Sequence, residues 1–342
     1  MTQRRHTSFD IAELAGVSQP TVSRALSGNP SVSAETRARV LAAAEQLQYK
    51  VDKNASGLRR QHSRTLALLF FEDPSPDESL INPFYLSMLG SMVRKCAARG
   101  YDLLISFQQL SSDWHVDYED SRKADGIILL GYGDYLLYRP RLEKLIEQET
   151  HFVRWGSPRE GEIGTTIGSD NEGGGNQAAA HLLELGRRRI AFLGSATPAY
   201  PEILDRWLGY KRAHDEAGIA VDTALRFDAL PSEEAGAEAT AALIASGAQF
   251  DAIFASSDIA AIGAMRVLQE AGKAIPDDVA IVGFDDLAAA RLARPALTTV
   301  AQDSRLAGEA LVDALIEAVE RGPSTSQLLA VELKVRGSSV LA

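Results

Sequence analysis

Residues 8–28 read SFDIAELAGVSQPTVSRALSG. Apolar side chains recur here at helical spacing in two groups, Ile11, Leu14 and Ala15, then Val22, Ala25 and Leu26. Between the groups, Gly16 can adopt the left-handed conformation that ends a helix, Ser18 can cap the next helix, and Pro20 fits a first turn. The pattern predicts two short helices joined by a tight turn, either a helix-turn-helix or a plain helical hairpin with a polar face.

The N-terminal end of the second predicted helix is polar. Its residues are Ser18, Gln19, Pro20, Thr21, Ser23 and Arg24. In a helix-turn-helix, the second helix enters the DNA major groove with its N-terminal residues. Gln and Arg can pair bidentately with adenine and guanine edges, while Ser and Thr suit phosphates. Composition alone does not choose between this function and the plain hairpin.

The charge of the chain is unevenly distributed. Residues 1–60 contain nine Lys and Arg against five Asp and Glu, which gives this segment +4 and leaves −15 for the rest of a chain with net charge −11. A small basic head on a large acidic body fits an anionic partner that binds at one end only. Chance scatter could also produce +4, so the charge supports the helix-turn-helix hypothesis without proving it.

A third helix is predicted directly after this unit. Ser33 can cap it and Glu35 lies in its first turn. Its apolar positions are Val40, Leu41, Ala44 and Leu47. Together the three helices would form a small domain over residues 1–50.

From residue 65 onward, short apolar runs alternate with helical patterns. The runs lie at 66–71, 103–105, 127–130, 152–153, 190–193, 252–255 and 279–282. Strands that alternate with helices form parallel sheets covered on both faces. There are too many runs for one sheet, so we expect two similar α/β lobes. A ligand is then expected at the carboxyl ends of the strands, in the cleft between the lobes.

Several classes of protein are disfavoured by the same sequence. Cys96 is the single cysteine, which excludes an intrachain disulfide and a thiolate metal cluster. No apolar run approaches the length of a membrane span and no secretory signal follows Met1, so we expect a cytoplasmic protein with no membrane partner. The glycine run 173–175 lacks the Lys and Ser/Thr of a phosphate loop, and no nucleophile elbow or histidine cluster is present. We therefore expect no cofactor, no bound metal and no enzymatic activity.

Two segments of the head resemble the DNA-binding domain of the LacI/GalR repressors, namely DIAELAGVSQPTVSRAL (10–26) and PSVSAETRARVLAAAEQLQY (30–49). Three segments of the body, 168–194, 255–265 and 277–303, resemble that family's effector domain, a type I periplasmic-binding-protein fold. The resemblance covers essentially the whole chain. It implies a small all-α helix-turn-helix head and an α/β effector domain of two parallel-sheet lobes.

The resemblance also implies the domain limits. They are a head at 1–50, a hinge helix at 51–61, and an effector-binding and dimerisation domain at 62–342, with one lobe at about 62–163 plus 293–325 and the other at 164–292 plus 326–342.

Further DNA contacts are implied outside the helix-turn-helix. Asn29 and Ala55 are expected to contact DNA, and Leu58 falls where the family's hinge leucine wedges into the minor groove. The segment departs from the usual hinge pattern at Val51, Asp52, Ser56 and Gly57. Asp52 and Gly57 are poor helix formers, so we expect the hinge to fold only with DNA and a partner hinge.

Carried over position by position, the resemblance implies a ligand site in the cleft. Asp285 falls on the family's cleft carboxylate, which suits a vicinal diol, and Arg206 falls on its ligand arginine. Glu202 and Tyr200 occupy places that often line the same pocket. Ser257 stands where relatives often have a hydrogen-bonding Asn.

Some of these positions have a second interpretation. Asp285 could instead be a loop acid that caps a helix, and Trp155 could stack on a sugar ring or pack in the core. Asp258 is expected to cap the helix that follows it. The helix after Pro83 carries an apolar stripe that is either a dimer interface or plain core, made of Tyr85, Met88, Leu89 and Met92.

The function implied by the resemblance is sequence-specific regulation of transcription. We expect a repressor that binds palindromic double-stranded operator DNA as a homodimer and responds to a small sugar, with a glucoside among the candidates. A purine or sugar phosphate acting as corepressor is the alternative effector, and the residues do not decide between repressor and activator. A DNA-tethered enzyme would need a catalytic motif, and a secreted sugar-binding transport component would need a signal and no head. The final residues lack a leucine heptad, which favours a dimer over a tetramer.

Overall fold

The computed structural model describes residues 6–26, 28–47, 49, 62–71, 81–107, 113–131, 134–159, 161 and 163–340. The chain divides into two compact units, Met1–Ser63 and Arg64–Ala342. The predicted hinge helix at 51–61, with Ala55 and Leu58, lies outside the described residues. No helix within the described ranges is long and apolar enough to cross a lipid bilayer.

The small unit contains the predicted three helices. They are α1 (Ser8–Ala15), α2 (Gln19–Leu26) and α3 (Ala34–Gln46). Gly16 ends α1 with a φ of 61°, in the left-handed conformation expected from its place in the sequence. The buried core consists of Ile11, Ala12, Ala15, Val22, Ala25, Val40, Ala43 and Ala44. The helix-turn-helix prediction is thereby confirmed.

Two residues predicted in the core of this unit are exposed instead. Leu14 is 46% exposed and Leu41 is 51% exposed. Ala12 and Ala43 take the core-facing positions on their helices. Small side chains let three short helices approach closely, so the buried face is rotated away from the stripe of large apolar residues.

The large unit alternates strands and helices. Its strands are β1 (Thr65–Phe70), β2 (Asp102–Phe107), β3 (Ile127–Leu130), β4 (Phe152–Trp155), β5 (Thr165–Ser169), β6 (Ile190–Leu193), β7 (Arg226–Phe227), β8 (Ala252–Ala255), β9 (Ala280–Asp285), β10 (Thr298–Gln302), β11 (Gln327–Leu329) and β12 (Val331–Lys334). Its α-helices are α4 (Pro83–Ala98), α5 (Tyr135–Glu147), α6 (Asn171–Glu184), α7 (Pro201–Glu216), α8 (Glu233–Ala245), α9 (Asp258–Glu270), α10 (Ala288–Leu292) and α11 (Ser304–Arg321). A π-helical turn at Val116–Asp120 and a 3₁₀ turn at Thr223–Leu225 complete the set.

Two six-stranded sheets form the centres of two lobes. The first sheet has the order β11-β5-β4-β3-β1-β2, with every neighbouring pair parallel. The second has the order β12-β10-β9-β8-β6-β7 and is parallel except for β12, which runs antiparallel to β10. Helices α4 and α11 pack together in the first lobe, while α6 packs on α7 and α8 on α9 in the second. The predicted architecture of two parallel-sheet lobes is confirmed.

The chain crosses between the lobes three times, after β5, after β10 and after β11. Asp170 and Asp303 lie at the first two crossings, where each caps the helix that follows through its side chain. The sequence-based lobe limits need correction here. They assign 164–169 and 326–329 to the second lobe and 293–302 to the first, whereas β5 and β11 belong to the first sheet and β10 to the second. Each crossing comes directly after a strand, and that strand belongs to the sheet of the lobe that the chain is leaving.

The apolar stripe of α4 lies in the core of the first lobe. Tyr85, Met88 and Met92 are buried, and the half-buried Leu89 packs against the same core. The interpretation of this stripe as a dimer interface is therefore wrong, because these side chains already cover the first sheet. Cys96 belongs to the same core, and burial raises the pKa of its thiol to about 11.

The glycine run 173–175 brings two helices into contact. A Cβ atom at Gly175 would clash with the backbone carbonyl of Arg206 on α7. A Cβ atom at Gly209 would clash in turn with the backbone of Glu172 on α6. Only glycine permits so close an approach of two backbones. The run therefore fixes α7, and with it Arg206, against the start of α6.

Candidate nucleic-acid interface and ligand cleft

The predicted DNA-binding residues of the helix-turn-helix lie on α2 or directly before it. Val22 and Ala25 face the core, which leaves the opposite face to polar side chains. Ser18, Pro20 and Arg24 are exposed. Gln19, Thr21 and Ser23 are half-buried on the same helix. Ser18 directly precedes α2, Gln19, Pro20 and Thr21 lie in its first turn, and Ser23 and Arg24 lie toward its C-terminal end. Their contacts with a major groove stay a prediction.

Hydrogen bonds hold the start of α2 in place. The Ser18 and Thr21 hydroxyls lie 2.8 Å apart, and the Thr21 amide donates to Ser18 Oγ at 3.4 Å, so Ser18 caps the helix as predicted. Gln19 Nε2 donates to Ser8 Oγ of α1 at 3.2 Å. A base contact by Gln19 would have to replace this bond.

Asn29 shapes the turn that follows α2. Its amide donates to Arg24 O at 3.0 Å, and its side-chain Oδ1 accepts from the Ser31 amide at 2.9 Å. Its own carbonyl accepts from Arg37 Nη2 of α3 at 2.7 Å. Its role in DNA contact stays a prediction, as do the roles of Ala55 and Leu58, which lie outside the described residues.

In the large unit, the structure brings Arg206 and Asp285 together. Arg206 on α7 is 1% exposed, and its Nη1 lies 4.0 Å from Oδ1 of Asp285 at the end of β9. Arg206 Nε donates to Asn171 Oδ1 at 2.9 Å, and Nη1 donates to the Ser256 carbonyl. The guanidinium carbon lies 3.8 Å from the centroid of the Phe284 ring. We call these five residues the arginine cluster; it joins the starts of α6 and α7 to the carboxyl ends of β8 and β9.

Asp285 keeps an open hydrogen-bond acceptor. Gln302 Nε2 donates to its Oδ1 at 2.7 Å. Within the described part of the chain, Asp285 Oδ2 and Gln302 Oε1 are buried and have no hydrogen-bond partner at normal geometry. Asp285 also adopts a φ of 121°, a conformation that costs energy for any residue except glycine. Asp285 Oδ2 and Gln302 Oε1 therefore lie without a partner among the described residues, at the ends of the neighbouring strands β9 and β10.

Both residues border a cavity of about 940 Å³ between the lobes, the cleft cavity. The first lobe lines it with the segment before and at the start of α4, including Asn82 and Ser87. The second lobe contributes the start of α8 with the two residues before it, α9 and the segment after β9, and the crossing after β10 completes the wall. A cavity of this size can take a mono- or disaccharide.

The carboxyls around this cavity are strongly affected by burial. Burial raises the pKa of Asp285 to about 7, although the charge of Arg206 and the hydrogen bond from Gln302 oppose the change. Burial, together with the nearby charge of Asp285, raises the pKa of Asp258 well above its ordinary value. Hydrogen bonds from Thr299 Oγ1 at 2.5 Å and the Leu287 amide at 2.8 Å partly offset this. Two adjacent buried carboxyls therefore compete for one charge.

The helix cap at α9 differs from the prediction. Ser257 is fully buried and its Oγ accepts from the Ala260 amide at 3.2 Å, so Ser257 caps α9. Asp258, expected to be the cap, instead holds the Leu287 amide and the Thr299 hydroxyl. A serine before the helix reaches its free amides, whereas the aspartate one residue later points toward the end of β9. Ligand binding by Ser257 stays a prediction.

The other predicted cleft residues, Trp155, Tyr200 and Glu202, are not among the described residues that line the cleft cavity. Trp155 ends β4 and is 4% exposed, and its ring centroid lies 5.7 Å from that of Phe84. This contact agrees with the interpretation that Trp155 packs in the core. Tyr200 precedes α7, is half-buried and packs on the second-lobe core. Burial raises the pKa of Glu202, and the charges of Arg154 and Arg206 oppose this.

Gln302, Asn171 and Phe284 are site residues that the sequence did not single out. Gln302 ends β10 and Phe284 precedes Asp285 in β9, which are neighbouring parallel strands. Asn171 follows a crossing, and its Nδ2 donates to Ser169 O of the first lobe at 3.0 Å while its Oδ1 accepts from Arg206. Phe284 lies just after a predicted apolar run, but the strand before Asn171 and the strand that ends at Gln302 were not predicted. The sequence therefore offered a positional signal for Phe284 alone of the three.

Comparison with known proteins supports the assignment of both the helix-turn-helix head and the two-lobed domain. The family model for bacterial regulatory proteins of the lacI family matches residues 9–52, and that for a periplasmic binding protein-like domain matches residues 179–339. The HTH-type transcriptional regulator CelR of Thermobifida fusca is 30% identical over 98% of this chain and 99% of its own length.

Two solved structures show the same fold. A transcriptional regulator CelR–cellobiose complex superposes with a TM-score of 0.72 at 29% identity, covering 98% of this chain and 100% of the other. The lac repressor dimer bound to operator and the anti-inducer ONPF superposes with a TM-score of 0.84 at 24% identity, with the same coverage.

The raised pKa of Asp285 predicts a pH-dependent stability. The folded carboxyl keeps its proton up to about pH 7, whereas the ordinary pKa of an aspartate is 3.8. The contribution of Asp285 to the free energy of unfolding is therefore fully present below about pH 4 and is lost as the pH rises through 7. Asp285→Asn is expected to reduce the fall in unfolding free energy between these pH values, measured by urea denaturation. Asp228→Asn, on the surface of the same lobe, is the control. Equal pH profiles in wild type and Asp285→Asn would contradict the assigned pKa.

Proposed function

Because the chain belongs to the lacI family of bacterial regulatory proteins, we propose that it is a transcriptional repressor whose binding to operator DNA is controlled by a neutral sugar in the cleft between its lobes. It binds a palindromic operator as a homodimer, acts on DNA in the cytoplasm and catalyses no reaction. The observation that carries the proposal is the pair of buried acceptors, Asp285 Oδ2 and Gln302 Oε1, at the cleft cavity. Sugar hydroxyls both donate and accept hydrogen bonds, so they suit Asp285 Oδ2 in either protonation state of a carboxyl with a pKa of about 7.

Charge favours a neutral sugar over a sugar phosphate. The residues that line the cleft cavity include five acids, Glu233, Glu234, Asp285, Asp286 and Asp303, against two bases, Arg291 and Arg305. Several of these charges are paired: Glu233 lies 2.7 Å from Arg266 and Asp286 lies 2.6 Å from Arg336. Arg305 lies 2.8 Å from Glu309, and Arg206 is engaged inside the arginine cluster. The lining acids still outnumber the lining bases, so a phosphate dianion would meet no surplus of positive charge there.

Relatives support both the sugar and the operator. One solved relative is a complex with cellobiose, another is a LacI-family regulator with bound ribose, and a third is a dimer on its operator. A two-fold symmetric operator needs two heads, since one helix-turn-helix reads one half-site.

The dimer surface is proposed to be an exposed apolar face of the first lobe. Strand β2 is the edge of the first sheet, and its Leu104, Ile105 and Phe107 are 37%, 45% and 38% exposed. On the neighbouring α4, Leu86 and Val93 are 44% and 45% exposed. An exposed apolar edge strand favours association, and a second copy covers it in a symmetric manner.

Arg24 is predicted to provide base specificity. Arg24→Ala should lose the preference for operator over unrelated DNA by about tenfold to a hundredfold, because a bidentate contact to guanine contributes roughly 1–3 kcal/mol. Weak, salt-sensitive binding should remain. Fluorescence anisotropy on the DNA upstream of the gene measures this, with Arg39→Ala on the exposed side of α3 as control. An unchanged operator preference would remove Arg24 from the base-reading surface.

Asp285→Asn is predicted to uncouple DNA binding from the sugar. The substitution keeps an oxygen for Gln302 but replaces the open acceptor with an NH₂ donor, so a sugar hydroxyl loses its partner. Operator affinity without sugar should stay within about threefold of wild type, while the sugar concentration needed for release should rise at least about tenfold. Anisotropy titrations with the sugar, compared with Asp228→Asn, measure both. A wild-type sugar response in this variant would place the ligand elsewhere.

Ile105→Asp is predicted to weaken the dimer. A charge in the centre of an apolar interface should raise the dimer dissociation constant at least about tenfold and lower operator affinity with it. Sedimentation equilibrium measures the change. Leu137→Asp, at a 74% exposed position on α5 of the same lobe, is the matched control and should remain dimeric. A dimer of unchanged strength in Ile105→Asp would exclude this face.

A further inference from the structure

The lobes also touch through a short stretch of the second lobe, residues 199–205. The Ala199 carbonyl accepts a hydrogen bond from the Tyr135 amide, at the start of α5 in the first lobe, at 2.9 Å. The Asp205 carboxylate on α7 accepts from Ser157 Oγ and from the guanidinium of Arg159, both in the segment that follows β4. These contacts bridge the lobes without involving the three chain crossings.

The ion pair between Asp205 and Arg159 is two-pronged and partly buried. Arg159 Nη2 donates to Asp205 Oδ1, and Arg159 Nε lies 3.3 Å from Oδ2, so the guanidinium approaches both carboxylate oxygens. The Asp205 side chain is 12% exposed and that of Arg159 is 34% exposed. Ser157 is 4% exposed and donates to the same Oδ2. A two-pronged, partly buried pair with an added hydroxyl donor has a more defined geometry than a single-contact surface salt bridge.

The position of Asp205 links this contact to the ligand site. Asp205 is directly followed by Arg206, and both lie on α7. Arg206 is bound within the second lobe to Asn171, the Ser256 carbonyl and Phe284, while Asp205 reaches the first lobe. The glycine contact between α6 and α7 leaves α7 little room to move alone. Moving the first lobe away from the second would therefore break the Asp205 contacts and leave the arginine cluster intact.

We propose that Asp205, Ser157 and Arg159 form a latch between the lobes, which sets the balance between open and closed lobes before any ligand binds. The effect on the sugar response rests on the proposed function, because it requires that the effector bind the closed lobes. An ion pair made only in the closed state raises the population of that state. When a smaller fraction of the protein is in the state that binds the effector, the apparent affinity for the effector is lower.

Asp205→Asn is the most informative substitution. The amide keeps the shape of the side chain and an oxygen acceptor for Ser157, and it removes the charge that pairs with Arg159. We expect a new population of longer interlobe distances in the ligand-free protein. We also expect the effector concentration for half-maximal DNA release to rise about three- to tenfold.

The distance is measured by pulsed electron paramagnetic resonance between nitroxides at Glu147→Cys on α5 and Asp215→Cys on α7, both exposed positions. The full chain is used in a Cys96→Ala background, and an excess of unlabelled chain suppresses distances between protomers. The matched control is Glu172→Gln, which removes an ion pair of 2.5 Å with Arg212 inside the second lobe. The control should give the wild-type distance distribution.

Two further variants separate a latch from a general structural role. Arg159→Gln removes the same ion pair from the first lobe and should produce the same long distances. The double variant Asp205→Arg with Arg159→Asp reverses the pair and should restore short distances that each single change loses. Wild-type distances in both Asp205→Asn and Arg159→Gln would overturn the latch.

The distance measurement needs neither sugar nor DNA, so it tests the latch by itself. If the variants open the lobes but no sugar releases wild-type protein from DNA, the latch stands and the proposed effector fails. If a sugar releases the wild type while the variants keep wild-type distances, the proposed function stands and the latch fails.

Discussion

The organisation of the cleft depends on one buried charge, the guanidinium of Arg206. Placing a cation at 1% exposure costs several kcal/mol unless its donors and its charge are satisfied. Asn171, the Ser256 carbonyl, the Phe284 ring and Asp285 meet that requirement, and they come from α6 and from the ends of β8 and β9. The cluster therefore ties together the parts of the second lobe that border the cleft. The glycine contact of α6 with α7 makes this possible by bringing the backbone of Arg206 to the start of α6.

The same cluster determines what the cleft can bind. Arg206 is engaged by the protein, so the groups left at the cleft cavity are acceptors, Asp285 Oδ2 and Gln302 Oε1. The second buried carboxyl, Asp258, is held by Thr299 and Leu287. Hydroxyl-rich, uncharged ligands suit such a site better than anions do. A sugar bound there would contact both lobes and the segment that crosses between them after β10. Its binding could therefore change the position of one lobe relative to the other.

The sequence predicted those parts of the fold that local chemistry determines. Gly16 and Ser18 mark the helix-turn-helix, and uninterrupted apolar runs mark the buried parallel strands. It did not predict features that depend on the packing of distant segments. The point at which the chain crosses between the lobes decides to which sheet β5 and β10 belong. The close approach of alanine-rich helices decides that Leu14 is exposed. Of the six predicted ligand residues, Asp285 borders the cleft cavity and Arg206 meets it in the arginine cluster, both identified through family resemblance. Gln302 was missed because only the strand pairing of β9 and β10 brings it to Asp285.

The central claim is that the cleft takes a neutral sugar through buried acceptors. Isothermal titration calorimetry of the full chain tests it most directly, with cellobiose and ribose compared with glucose 6-phosphate and ribose 5-phosphate. We predict binding of a neutral sugar with one site per chain, and binding of the phosphate esters at least about tenfold weaker, since they meet an acidic cavity. Tighter binding of a phosphate ester than of the neutral sugars would contradict the account.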